Sequence, residues 1–169
     1  MNLLKRYTLI GIFFVIIAGT LFHFVYDWTG KNPVLALFFP INESTWEHMK
    51  LGYFPMLLYS FYMNKKLQKD YPCITSAALS GILINTFSIP VIFYTYTGIL
   101  GTDIFILDIA TFIVSVLIAF YAIYHLALSC HAETYAETLL LLVCITGICF
   151  LVFTYAPPNI NLFTSLAQK

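Results

Sequence analysis

From Tyr7 to Val25 the chain carries no Asp, Glu, Lys or Arg, and long apolar runs of this kind recur along its length. They constrain the fold more than any other feature. A helix rises about 1.5 Å per residue, so about twenty apolar residues cover a hydrocarbon core of roughly 30 Å. Charged residues make up 9% of the 169 residues and 60% are hydrophobic; soluble domains carry roughly 25% charged residues. The sequence reads as an all-α integral membrane bundle, one transmembrane domain with no room for a soluble one. Eight acidic and eight basic residues balance, which gives no basis for a nucleic-acid partner.

Five transmembrane helices are predicted, at about 7–27, 44–63, 73–94, 103–125 and 135–155. The first is too long for a signal peptide's apolar core, no A-x-A-like cleavage site follows it, and Tyr26 and Trp28 suit a membrane interface. Val34–Pro40 is too short to span and is predicted to lie at the interface or re-enter. Pro55 falls inside the second helix as a kink, and Asn85 mid-way along the third as a helix–helix hydrogen-bonding residue. Cys73, Cys130, Cys144 and Cys149 form no C-x-x-C and read as small apolar packing residues, not as a disulfide framework. A cytoplasmic N-terminus puts Lys5, Arg6, Lys65, Lys66 and Lys69 inside, and Lys31, Lys50 and Lys169 outside. Basic residues favour the cytoplasmic side, so the predicted topology is N-in, C-out, in the cell membrane.

The second helix is the exception to the apolar pattern. Leu51–Met63 is thirteen residues, which reach only about 20 Å. A span here must begin near Ser44 and carry Glu47, His48 and Lys50 below the membrane surface, where ionisable groups are costly and mark function. In the predicted topology Asp27, Glu43, Glu47, Asp103 and Asp108 share the outer face with His23 and His48. That is five of the eight acidic residues and two of the four histidines.

Each of these residues also has a plainer role open to it. His23 and Asp27, four apart, share a helix face, either as a carboxylate orienting an imidazole or as an interfacial ion pair. Ser44-Thr45-Trp46-Glu47 matches the S-x-x-E capping box, in which Glu47 merely completes the helix start. Lys50 can neutralise Glu47 or Glu43, and Trp46 reads as an interfacial belt residue. Asp103 reads as a helix N-cap. Asp108 is harder to dismiss, being about 7 Å further into an apolar helix. On the inner side His125, Cys130, His131, Glu133 and Glu137 match no metal-ligand spacing.

The stretch Pro40-Ile41-Asn42-Glu43-Ser44-Thr45-Trp46-Glu47-His48-Met49-Lys50-Leu51 resembles the signature P-[VI]-N-E-S-x-W-E-H-x-K-L of a family of small bacterial membrane proteins of unknown function, found mainly in Gram-positive species. His23–Trp28 and Tyr94–Gly101 are similar to that family as well, and the likeness covers most of the chain up to the fifth helix. It implies a multi-pass membrane protein and supplies no activity.

The residues themselves point first to an outward-facing carboxylate/histidine site of a hydrolase or transferase acting on a lipid-linked or other membrane-associated substrate. Glu47, His48, His23, Asp108 and Lys50 are the candidate catalytic groups. Glu43, Glu47, His48, His23 and Asp27 are candidate ligands for a divalent metal, zinc or manganese, and Asn42, Ser44, Trp46 and Asp103 are supporting residues. The alternatives are a proton- or cation-coupled transporter, which a homodimer would have to complete, and an accessory or sensor subunit. The inner halves of helices two to four are almost free of ionisable groups, which favours a one-sided site over a conduit.

Overall fold

Helices form where the apolar runs lie, because a backbone without water must satisfy its own hydrogen bonds. The computed structural model describes residues 2–164, so Lys169, counted above in the orientation, lies outside the described residues. The elements are α1 (Leu3–Trp28), a single turn α2 (Pro33–Ala36), α3 (Thr45–Leu67), α4 (Ile74–Leu100), α5 (Phe105–Ser129) and α6 (Ala136–Tyr155), with 3-10 turns at Glu133–Tyr135 and Asn161–Phe163. Among the described residues four helices, Leu3–Trp28, Ile74–Leu100, Phe105–Ser129 and Glu133–Tyr155, are long and apolar enough to cross a membrane. α3 matches them in length with 23 residues but is less apolar.

The observed helices run past their predicted ends for local reasons. Thr95 and Thr97 donate to the carbonyls of Val91 and Phe93, which satisfies their hydroxyls inside the helix. Gly101, at φ 76°, supplies the left-handed cap that ends α4. Pro55 and Pro90 lie inside helices that continue through them.

α3 is buried along most of its length, and the polar residues Thr45, Glu47 and Lys50 at its start turn inward. Glycines let the neighbouring helices approach. A Cβ on Gly19 would lie 2.5 Å from the Phe112 ring and 2.6 Å from the Leu51 carbonyl oxygen, so α1, α3 and α5 meet there. Gly81 likewise admits Ile123 between α4 and α5. Tyr59 donates to the Tyr7 carbonyl at 2.6 Å and Tyr53 to the Val143 carbonyl at 2.7 Å, tying α3 to α1 and α6.

At three places the structure differs from what the sequence predicts. Cys73 and Cys130 form a disulfide that joins the residue before α4 to the residue after α5; they are 57 apart in sequence, so spacing gave no hint of it. Asn85 is fully buried but forms no interhelical hydrogen bond, its amide atoms having no partner among the described residues. It fills the space opposite Gly52 instead. Trp46 is 8% exposed and packs on Phe150, Phe153 and Phe163, so it belongs to the core and not to an interfacial belt.

Candidate metal centre

The start of α3 is built by a chain of local hydrogen bonds. Asn42 Oδ1 accepts from the Ser44 amide at 2.9 Å, and Ser44 Oγ caps the helix by accepting from the Glu47 amide at 3.4 Å. The predicted capping box is therefore only half formed. Asn42 takes the amide that Glu47 would have accepted from, and this frees the Glu47 carboxylate for other partners.

Glu47 and Lys50 form a buried pair at 2.8 Å, with side chains 4% and 0% exposed. The same Glu47 oxygen accepts from the Ile41 amide at 3.0 Å. Lys50 Nζ also donates to the Ala36 carbonyl at 3.1 Å and to Thr154 Oγ1 at 2.6 Å. Three donors meet three acceptors, so the ammonium is fully engaged. The cluster ties α3 to the 36–41 connection and to the end of α6.

One face further round α3, a second group converges. His48 Nε2 lies 3.3 Å and His23 Nε2 3.8 Å from Glu43 Oε2, and the two imidazole rings are 5.3 Å apart. One ligand atom from each of His23, Glu43 and His48 falls within 4.8 Å of the others, an arrangement able to hold a metal ion. His48 Nδ1 lies 2.9 Å from the Ser44 carbonyl, which can only accept, so Nδ1 carries a proton. Nε2 is then the atom offered to Glu43 or to a cation, the backbone anchor being of the kind that orients metal-ligating histidines. His23 Nδ1 is buried without a partner among the described residues. The side chain of Glu43 is 64% exposed and opens the group to a cleft of about 170 Å³ lined by His23, Asp27, Ile41 and Asn42, among others. The hydrogen bond from protonated His48 is the main cause holding Glu43 below the usual carboxylate value. The charges of His48 and His23 add to it, and partial burial opposes.

Of the predicted site residues, the fold thus unites His23, Glu43 and His48. Glu47 and Lys50 belong to the neighbouring buried pair. Asp27 lines the cleft, yet the carboxylate that meets His23 comes from Glu43. Asp103 is exposed and caps nothing; Ile104 occupies the cap position of α5. Asp108 accepts a hydrogen bond from Tyr96 and stands close enough to His48 to act on it electrostatically. Register agrees: Gly19, Leu51 and Phe112 meet one turn deeper than His23, His48 and Asp108. Tyr96 and Thr154 were not anticipated. Tyr96 lies in the Tyr94–Gly101 stretch already singled out, whereas Thr154 is 104 residues from Lys50 and carried no signal.

Fold and site together define an all-helical protein with membrane-type helices and a two-histidine, one-carboxylate cluster where α1, α3 and the connection between them meet. The chain belongs to a family of unknown function, DUF6512, whose model matches residues 1–168. No curated protein and no solved structure matches it.

Proposed function

We propose that this is a five-span membrane protein, N-terminus cytoplasmic, with a His23/Glu43/His48 zinc centre on its outer face, and that it acts as a hydrolase or transferase on a membrane-associated substrate. The observation that carries the reading is the convergence of three ligand atoms within 4.8 Å beside an open cleft. Two imidazoles and one carboxylate with an open side are the ligand set of catalytic zinc sites. A bound zinc would supply Lewis acidity and an activated water. The chain's own residues do the rest: Ser44 orients His48, Glu43 faces the approach, and Asp108, held by Tyr96, is the proton acceptor. Glu47 and Lys50 act in this reading as the scaffold that fixes the 36–44 connection.

The fifth span is α3, whose 23 residues would cover about 34 Å. Glu47 and Lys50 near its start are paired with each other, which lowers the cost of placing them in a membrane, and Lys65 and Lys66 lie in its last turn. The orientation is supported by Lys5, Arg6, Lys65, Lys66 and Lys69, which gather at the end of the bundle away from the site.

The test is turnover by the purified protein, as zinc-loaded and chelator-treated samples, on a panel of phospholipids and lipid-linked phosphates. Headgroup release confined to the zinc-loaded form and lost in His23→Ala is the expected result. Zinc bound without turnover on any of the panel would remove the enzymatic reading.

A further inference from the structure

The Cys73–Cys130 bridge closes the α4–α5 hairpin at the end away from its own turn. At the same junction Ser76 Oγ donates to Glu133 Oε2 at 2.6 Å, so the 130–135 connection is fastened to α4 twice. This end of the bundle also carries Lys5, Arg6, Lys65, Lys66 and Lys69, five of the eight basic residues in the chain. The two facts pull in opposite directions. Basic residues mark the cytoplasmic side, whereas a lasting disulfide belongs to an oxidising compartment, and cytosolic disulfides are mostly transient and redox-sensing. A cysteine pair that forms and breaks satisfies both.

We propose that Cys73 and Cys130 are a reversible thiol–disulfide switch on the cytoplasmic face, set by peroxide-class oxidants. The inference rests on the N-in orientation proposed above. Cys130 is partly exposed and Cys73 is 6% exposed, which makes Cys130 the thiol that meets the oxidant. Its thiolate attacks the peroxide O–O bond, giving a sulfenic acid and one water. The Cys73 thiol then displaces the sulfenic oxygen as a second water and forms the S–S bond. Two thiols and one peroxide become one disulfide and two waters, and a dithiol reductant reverses the step by exchange. Oxidation fastens the 130–135 connection, and with it the start of α6, to α4. In the reduced form the Ser76–Glu133 hydrogen bond and the packing of α6 on α4 remain to hold them.

The experiment follows thiol state in cells expressing the full chain with Cys144→Ala and Cys149→Ala, trapped by a maleimide mass tag before and after a peroxide pulse. A parallel Lys69→Cys reporter, in a variant lacking the four natural cysteines, reads orientation with an impermeant maleimide. The expected result is both thiols free in unstressed cells and a tenfold or greater rise in the bridged fraction on peroxide. Reversal by dithiothreitol, and reporter labelling in inverted vesicles but not in intact cells, complete it. Amide exchange over residues 131–137 of the purified protein should slow about tenfold on bridging. A bridge already complete in unstressed cells, with the reporter cytoplasmic, would overturn the switch alone. The same bridge with the reporter labelled from outside would overturn both switch and orientation. Free thiols that never pair under peroxide would overturn the switch as well.

Discussion

Replacing Lys50 by methionine isolates its charge from the packing of its stem. The Glu47 carboxylate, 4% exposed, would keep the Ile41 amide as its donor and lose its cation. Breaking a buried pair by removing one partner costs about 3–5 kcal/mol, which is roughly a hundredfold or more in the unfolding equilibrium. The Ala36 carbonyl and Thr154 hydroxyl lose a donor in the same step, so the upper half of that range is expected. Glu47→Gln strands the Lys50 ammonium in turn and should also cost about 3–5 kcal/mol, at the lower end because a neutral amide oxygen can still accept from Lys50 and Ile41. In the double variant the two losses should fall short of their sum by at least about 2 kcal/mol, because neither charge is stranded. Reversible unfolding in mixed micelles, followed by the fluorescence of buried Trp46, reads all four species. A Lys50→Met cost under about 1 kcal/mol, or additive single costs, would refute the pairing described here.

Gly52→Ala puts a Cβ 2.0 Å from Asn85 Nδ2 and should destabilise by about 1–3 kcal/mol. Asn85→Ala, which removes an amide with no partner among the described residues, should rescue most of that loss in the double variant, as measured by thermal midpoint. Tyr53→Phe removes the bond to the Val143 carbonyl and should cost about 1 kcal/mol in the same micelle unfolding assay. Glu43 titrates lower in the folded protein than its ordinary 4.5. Its contribution is therefore present above the unfolded value and lost as pH falls below 4.5 through the folded one. Thermal midpoints between about pH 3 and pH 6 should accordingly fall less steeply for Glu43→Gln than for the wild type.

Much of this fold can be read from residue type alone, because a membrane-type helix is set by a contiguous run and needs no knowledge of its neighbours. The helix ends were harder, since Thr95, Thr97 and Gly101 punctuate the sequence like a turn yet satisfy themselves within α4 or at its cap. The site was half legible. Counting spans brought His23, Glu43 and His48 to one end, and Lys50 was already a candidate partner for Glu47. What the sequence could not separate was two carboxylates four apart, Glu43 and Glu47. Their division of labour depends on Asn42 taking the Ser44 amide and on Thr154 arriving from α6. The disulfide escaped for a similar reason: Cys73 and Cys130 become neighbours only once α4 and α5 pair. The span count does carry that signal, since it assigns both cysteines to the same face.

The central claim is that His23, Glu43 and His48 form one metal centre and that Glu47 stands outside it. The direct measurement is zinc stoichiometry and affinity of the purified protein at neutral pH, for wild type beside His48→Ala, Glu43→Gln and Glu47→Gln. One zinc per chain in the wild type is predicted, with affinity falling at least tenfold in His48→Ala and Glu43→Gln and changing only a few-fold in Glu47→Gln. Well-folded wild type that binds no zinc, or binding lost in Glu47→Gln and kept in Glu43→Gln, would contradict the account.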